Sequence, residues 1–201
     1  MAEKQMIITI SREYGSGGHV IAEALSKKYG IPMYDHDLLK HIAAEDDLID
    51  AALLEKYDEI PRNKFLYRSV KGFSNSPSEN IANMQFDFLR KKADSGESFI
   101  AVGRCSEYIL SKYPGIIKIF VLGDMEAKVS RIMKLHNLDH DTAYDTITRI
   151  DKQRKTYHNY YCPNKWGDSR YYDICINSTR LGIDATADFL ADYIDKRINR
   201  Q

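Results

Sequence analysis

Arg12-Glu-Tyr-Gly-Ser-Gly-Gly-His19 directly follows a β-branched run, Met6 to Ile10, and leads into an amphipathic segment that starts near Gly17. Strand, glycine bend and helix in that order aim several backbone N–H groups and a positive helix end at one spot, which is the chemistry of phosphate binding. Laid over the phosphate-loop pattern G-x-x-x-x-G-K-[ST], Arg12 takes the first glycine, Gly17 the second, Gly18 the lysine and His19 the hydroxyl residue. The bend is present, but its usual cation and metal-binding hydroxyl are not. Arg12, at the mouth, reads either as a surface arginine or as the cation that Gly18 cannot supply. Ser11, Gly15, Ser16, Gly17, Gly18 and His19 form the candidate phosphate cradle, and the Ser16 hydroxyl is a candidate Mg2+ ligand. His19 suits Mg2+ poorly, since that ion prefers oxygen, and reads as a phosphate donor or a helix-surface residue.

Further along the chain, Asp35 and Asp37 follow a second short strand and read as helix caps or as carboxylates that accept from a nucleotide. Arg104 follows Gly103 at the end of a continuously apolar strand, where a planar guanidinium suits bidentate contact with phosphate. Arg149-Ile-Asp-Lys-Gln-Arg-Lys155 puts four cations in seven positions beside an aromatic stretch with Tyr157, Tyr160, Tyr161 and Trp166. This is either a solvated helix face or a lid that brings arginines onto a transferring phosphoryl group. Arg131, on the preceding helix, is a candidate for the rim of the same site.

The elements that must position these residues follow from periodicity. Met6–Ile10, Ile31–Tyr34, Phe99–Val102, Ile116–Leu122 and Tyr172–Ile176 predict strands. Helical spacing predicts helices from Gly17 to Gly30, after Asp35, over Ser78–Ala93, after Arg104, over Met125–Leu135, from Asp139 through Tyr157 and over Ala185–Ile198. Residues 158–170 read as a mobile loop. Strands alternating with helices predict an α/β fold with a central parallel sheet, whose ligands sit beyond the carboxyl ends of the strands.

The 201 residues suffice for one core and a small inserted lobe. Lys and Arg total 29 and Asp and Glu total 29, a neutral balance that argues against a nucleic-acid-coating or membrane-surface protein. Cys105, Cys162 and Cys175 are odd in number and widely spaced, and read as reduced thiols of a cytoplasmic protein. No secretory signal or membrane span is visible.

In this order these pieces resemble the nucleoside monophosphate kinases, most closely the cytidylate kinase-like family. Ile8-Thr-Ile-Ser-Arg-Glu-Tyr-Gly-Ser-Gly-Gly resembles its variant phosphate loop, and Tyr34-Asp-His-Asp-Leu-Leu the place where such kinases begin to enclose the monophosphate. Val102-Gly-Arg-Cys resembles a Gly-Arg-Asp element whose arginine holds the acceptor phosphate. Arg149-Ile-Asp-Lys-Gln-Arg resembles an arginine-bearing lid, and Tyr172-Asp-Ile-Cys-Ile-Asn-Ser-Thr the final strand with its turn. The resemblance implies a three-layer P-loop kinase fold with five parallel strands. Its core would span 1–35, 96–138 and 171–201, with a helical monophosphate-binding insert at about 36–95 and a helical lid at about 139–170. It implies Mg2+ and ATP as donor, CMP or dCMP as acceptor, and a monomer or homodimer. Arg12, Arg104, Arg149 and Arg154 would be catalytic, and Asp35, Asp37, Arg104 and Asp151 would contact substrate. Gly18, His19 and Cys105 depart from the family's lysine, hydroxyl and aspartate, so a nucleotide sensor and a kinase for a non-nucleotide acceptor stay open as alternatives.

Overall fold

The computed structural model describes residues 5–35, 38–45, 69–70, 73–74 and 76–199. Five strands form one parallel sheet: β1 (Ile7–Arg12), β2 (Met33–Tyr34), β5 (Phe99–Val102), β6 (Ile117–Leu122) and β7 (Ile174–Asn177), in the order β2-β5-β1-β6-β7. β1 lies at the centre, Ile7 opposite Phe99 on one side and Ile8 opposite Ile117 on the other. All six of its residues are buried. Two short strands, β3 (Ser69–Val70) and β4 (Phe73–Ser74), pair antiparallel on their own.

Side chains alternate across the sheet and build two cores. Ile8, Ile10, Ile100, Val102, Ile119 and Val121 face helices α1 (Gly18–Tyr29) and α8 (Ile183–Ile198) through Ile21, Leu25, Leu190 and Ile194. Ile7, Phe99 and Ala101 face the opposite way, against Leu38, Leu39 and Ile42 of α2 (Leu38–Glu45) and Ile81, Phe88 and Leu89 of α3 (Pro77–Asp94). The result is the three-layer α/β arrangement that strand–helix alternation predicts.

Further α-helices among the described residues are α4 (Ser106–Ile109), α5 (Met125–His136), α6 (His140–Tyr161) and α7 (Ser178–Leu181). α5 and α6 pack on each other through Val129, Ile132, Ala143 and Ile147. Expected boundaries shift where tertiary contacts intervene. β1 runs two residues beyond the apolar run, because Ser11 and Arg12 continue the ladder against Phe120 and Val121. α6 runs through Tyr161, because Tyr157 and Tyr161 bury against Phe86. Of the segment 158–170 read as a mobile loop, residues 158–161 end α6 and Trp166 packs edge-on against Phe120 of the sheet, 5.3 Å between ring centroids. Gly30 closes α1 in the left-handed conformation, and Asp139 caps α6 by accepting from the Thr142 N–H at 2.9 Å. Among the described residues no helix is long and apolar enough to cross a membrane.

Candidate active site

The glycine bend joins β1 to α1 at the carboxyl edge of the sheet. Gly15 and Gly17 sit at φ 79° and 81°, a left-handed backbone that a side chain would strain. Hydrogen bonds fix the bend from outside. Arg131 Nη1 donates to Gly15 O at 2.8 Å, Ser178 Oγ to Ser16 O at 2.6 Å, and Ser16 Oγ to Glu13 O at 2.8 Å. Gly17 caps α1 without a side-chain hydrogen bond, and the first turn carries no acidic residue. The positive end of α1 is therefore left to an anion from outside the helix.

Arg12 fills the space that a side chain at position 18 would need. A Cβ built on Gly18 would lie 2.6 Å from Arg12 Cβ and 3.0 Å from its Cγ. From there Arg12 reaches Asp35, Nη2 to Oδ1 at 3.3 Å, with both residues buried. The second oxygen of Asp35 meets His19 Nδ1 at 2.5 Å, and His19 Nε2 lies 3.5 Å from Glu23. Burial alone would raise the Asp35 pKa, but the His19 hydrogen bond and the Arg12 and Arg104 charges outweigh it and hold the carboxyl below its usual range. The hydrogen bond to Asp35 raises His19 in turn, which favours the imidazolium. The Asp35 side chain is thus spent on Arg12 and His19. The helix-capping role falls to its main-chain oxygen, which accepts from the Leu38 N–H at 3.0 Å.

Arg104 comes in from β5. Gly103, Arg104 and Cys105 have φ of 74°, 55° and 55°, so two residues with side chains are held in left-handed backbone. Such conformations cost about 1–3 kcal/mol each and persist where the surroundings enforce them. The turn buries Arg104 to 4 % exposure. Arg154, from α6, lies over the Tyr14 ring at 5.6 Å and donates to Arg12 O at 3.3 Å. Ser11, Arg12, Gly103, Arg104, Cys105, Arg154, Tyr157, His158 and Trp166 line one cavity of about 10 Å³, room for about one water.

Other sequence candidates go elsewhere. Asp151 Oδ1 accepts from the Tyr14 N–H at 2.6 Å and Oδ2 from Lys128 Nζ at 3.1 Å. It straps α6 to the glycine loop. Arg149 lies two positions away on α6, hence on the opposite face, and lines an outer groove with Thr142, Asp145 and Lys152. It is not brought to the Arg12–Arg104–Arg154 cluster. Arg131 stays at the rim, beside an open groove of about 550 Å³ with Ala127, Ser130 and Lys134. Asp37 lies outside the described residues.

The donor set fits a protein-held Mg2+ poorly. The Ser16 hydroxyl is buried and donated to Glu13 O, Asp35 is engaged by Arg12 and His19, and Glu13 and Asp151 are bridged by Lys128. Sequence reasoning missed two features here. Lys128 Nζ lies 2.9 Å from Glu13 and 3.1 Å from Asp151; burial pushes its pKa down, but those carboxylates push it further up. Glu107 receives Ser11 Oγ on one oxygen at 3.0 Å and His158 Nε2 on the other at 2.5 Å. Their partners are distant in sequence, so no local pattern marks either.

Residues 7–180 match the model of the family described as "Cytidylate kinase-like family". The chain belongs to the cytidylate kinase-like family. A cytidylate kinase of Halobacterium salinarum is 26% identical over 196 residues, covering 94% of this chain and 90% of that protein. A cytidylate kinase of Staphylothermus marinus is 28% identical over 95 residues, about half of each chain at 47% and 52%. The crystal structure of an uncharacterized protein from Eubacterium ventriosum aligns with a TM-score of 0.76 and 41% identity, covering 95% of this chain and 99% of that one. Shikimate kinase from Bacteroides thetaiotaomicron aligns at TM-score 0.55 with 13% identity over 94% and 98% of the two chains, a likeness of fold alone. The five-stranded parallel sheet flanked by helices is thus an α/β fold shared with that kinase.

Proposed function

We propose that this protein is an ATP-dependent phosphotransferase whose acceptor is a nucleoside monophosphate, with CMP or dCMP preferred. One observation carries the reading: Arg12, Arg104 and Arg154, from three separate elements, line one cavity beside the glycine bend. Arg12 and Arg104 are buried, and three guanidinium-bearing side chains that converge on one cavity suit a multiply charged anion, which phosphoryl groups provide. The acceptor's base rests on the family relationship, since the described residues that line the cavity include no base-reading amide.

In this reading the N–H groups of Gly15 to Gly18 hold the donor's phosphates, with Arg131 fixing the bend and flanking the nucleotide. Arg12 stands in for the lysine absent at position 18, with Asp35 and His19 orienting it. Arg104 grips the acceptor phosphate and Arg154 neutralises charge on the group in transit. Arg149 and Asp151 take no part in substrate contact. The chemistry asked of these residues is alignment and charge neutralisation, without a covalent intermediate. Mg2+ enters only as the counter-ion carried on the nucleotide's phosphates. Because the cavity holds about one water, α6 with its flanking residues 139–170 acts as a lid that must open to admit nucleotide. The helices within 36–95 supply the acceptor lobe.

A second reading, a nucleotide sensor without turnover, is favoured by Arg12 filling the space next to Gly18. Coupled detection of ADP release with Mg2+ and ATP against a panel of nucleoside monophosphates separates the two. Turnover with CMP or dCMP, reduced at least tenfold by Arg104→Ala and by Arg12→Ala, supports the phosphotransferase. ADP release no greater than the ATP-only background, with nucleotide still raising the melting temperature, supports the sensor.

A further inference from the structure

Beside the arginine cavity lies a cluster that phosphoryl transfer leaves unused. Glu107, His158 and Cys162 are all buried, and each offers a ligand atom within 4.8 Å of the others. The Cys105 thiol, 3 % exposed, hydrogen-bonds to Cys162 and adds a fourth donor. The four come as two close pairs, Cys105-x-Glu107 at the start of α4 and His158-x-x-x-Cys162 at the end of α6. The Cys162 N–H closes a helical turn onto His158 O at 2.8 Å, which sets those two side chains on one face.

We propose that Cys105, Glu107, His158 and Cys162 form a binding site for a borderline-soft divalent transition metal of the Zn2+ type, assembled between the end of α6 and the turn that carries Arg104 when the lid is closed. Two sulfurs, an imidazole nitrogen and a carboxylate oxygen are a tetrahedral zinc donor set, and thiolates disfavour Mg2+. Bonds of about 2.0–2.3 Å separate tetrahedral ligands by roughly 3.5 Å. The Glu107–His158 contact of 2.5 Å must therefore open by about 1 Å and the wider pairs among Glu107, His158 and Cys162 close by up to about 1.3 Å, while Cys105, outside that 4.8 Å set, must swing further in. The surrounding contacts already orient the ligands. Ser11 Oγ holds the outer oxygen of Glu107 at 3.0 Å, and His158 Nδ1 faces Asn159 Oδ1 at 3.3 Å, leaving Nε2 for the ion. Loading releases the thiol protons and any second proton on His158 to solvent, and the carboxylate with two thiolates exceeds the ion's charge by one.

The site stands independently of the acceptor and of turnover, so its test needs no activity. The full-length protein, reduced and stripped with chelator, is titrated with Co2+ and followed by absorbance. The expected result is one Co2+ per chain with a thiolate charge-transfer band and the intense visible bands of tetrahedral cobalt, both bleached by Zn2+. Cys162→Ser and Cys105→Ser should each weaken binding at least tenfold, and Zn2+ should raise the melting temperature of the unaltered protein but not of Cys162→Ser. Absence of the charge-transfer band at saturating Co2+ overturns the proposal, whether or not Cys105 and Cys162 join as a disulfide in air. So does a band that survives Cys162→Ser in a variant whose circular dichroism shows it folded.

Discussion

Gly18→Ala places a single carbon where the geometry allows none. In the first turn of a helix, alanine ordinarily stabilises by up to about 1 kcal/mol relative to glycine. Here the new Cβ would stand 2.6 Å from Arg12 Cβ, about 1 Å inside the roughly 3.5–4.0 Å optimum for carbon contacts. The obstructing atom is the root of a side chain on the central strand, so it cannot swing aside. Overpacking of this kind costs about 1–3 kcal/mol. For a chain of this size each kcal/mol moves the melting temperature by about 2–4 °C. The expected outcome is a fall of roughly 2–12 °C by differential scanning calorimetry. CMP-dependent ADP release should fall with it, because relief of the clash pushes Arg12 away from Asp35. Arg12→Gly removes the obstructing carbon. In the double variant the penalty of Gly18→Ala should vanish, giving a favourable coupling of at least about 1 kcal/mol in the double-mutant cycle. A higher melting temperature for Gly18→Ala alone would refute the claim that Arg12 fills this space.

Three further outcomes follow from the site. Arg154→Ala should cut kcat/KM at least tenfold while Arg149→Ala leaves it within about twofold, because only Arg154 reaches the cavity; equal losses in steady-state assays would return Arg149 to the site. Lys128→Met should destabilise by about 1–3 kcal/mol in urea titrations, because it strands Glu13 and Asp151 as partly buried carboxylates without their shared cation; an unchanged midpoint would show that the strap is ornamental. The raised His19 pKa means that the folded protein holds this proton more tightly than the unfolded chain. That stabilisation is complete below about 6.5 and is lost as pH rises through the folded value, whereas the lowered Asp35 pKa gives stability that is lost only in acid. His19→Ala should therefore flatten the decline in unfolding free energy as pH rises above about 6.5; an identical slope in the two proteins would contradict the pairing.

Features carried by contiguous residues were legible in the sequence. The runs expected at 6–10, 99–102 and 116–122 became strands at 7–12, 99–102 and 117–122, because short segments so rich in β-branched and other apolar residues suit a sheet covered on both faces. The glycine spacing set the left-handed turns at Gly15 and Gly17, and the Gly103-Arg104 step after β5 marked an arginine later found buried. Helix ends at Gly30 and Asp139 followed from capping chemistry that acts within a few residues.

What folding alone decided is the choice among side chains that share a segment. Arg149, Asp151 and Arg154 are alike in a charge count, yet their turns around α6 send one outward, one to Lys128 and the Tyr14 N–H, and one to Arg12. Asp35 could have capped a helix, but the guanidinium and imidazole brought to it by β1 and α1 bind it more strongly than a local N–H. Glu107 and His158 meet across 51 residues, a pairing fixed only when α6 closes over the sheet. Short-range rules fix backbone shape because their energies lie between near neighbours. Which charges meet is settled by burial, which makes an unpaired ion so costly that the fold must find it a partner wherever in the chain that partner lies.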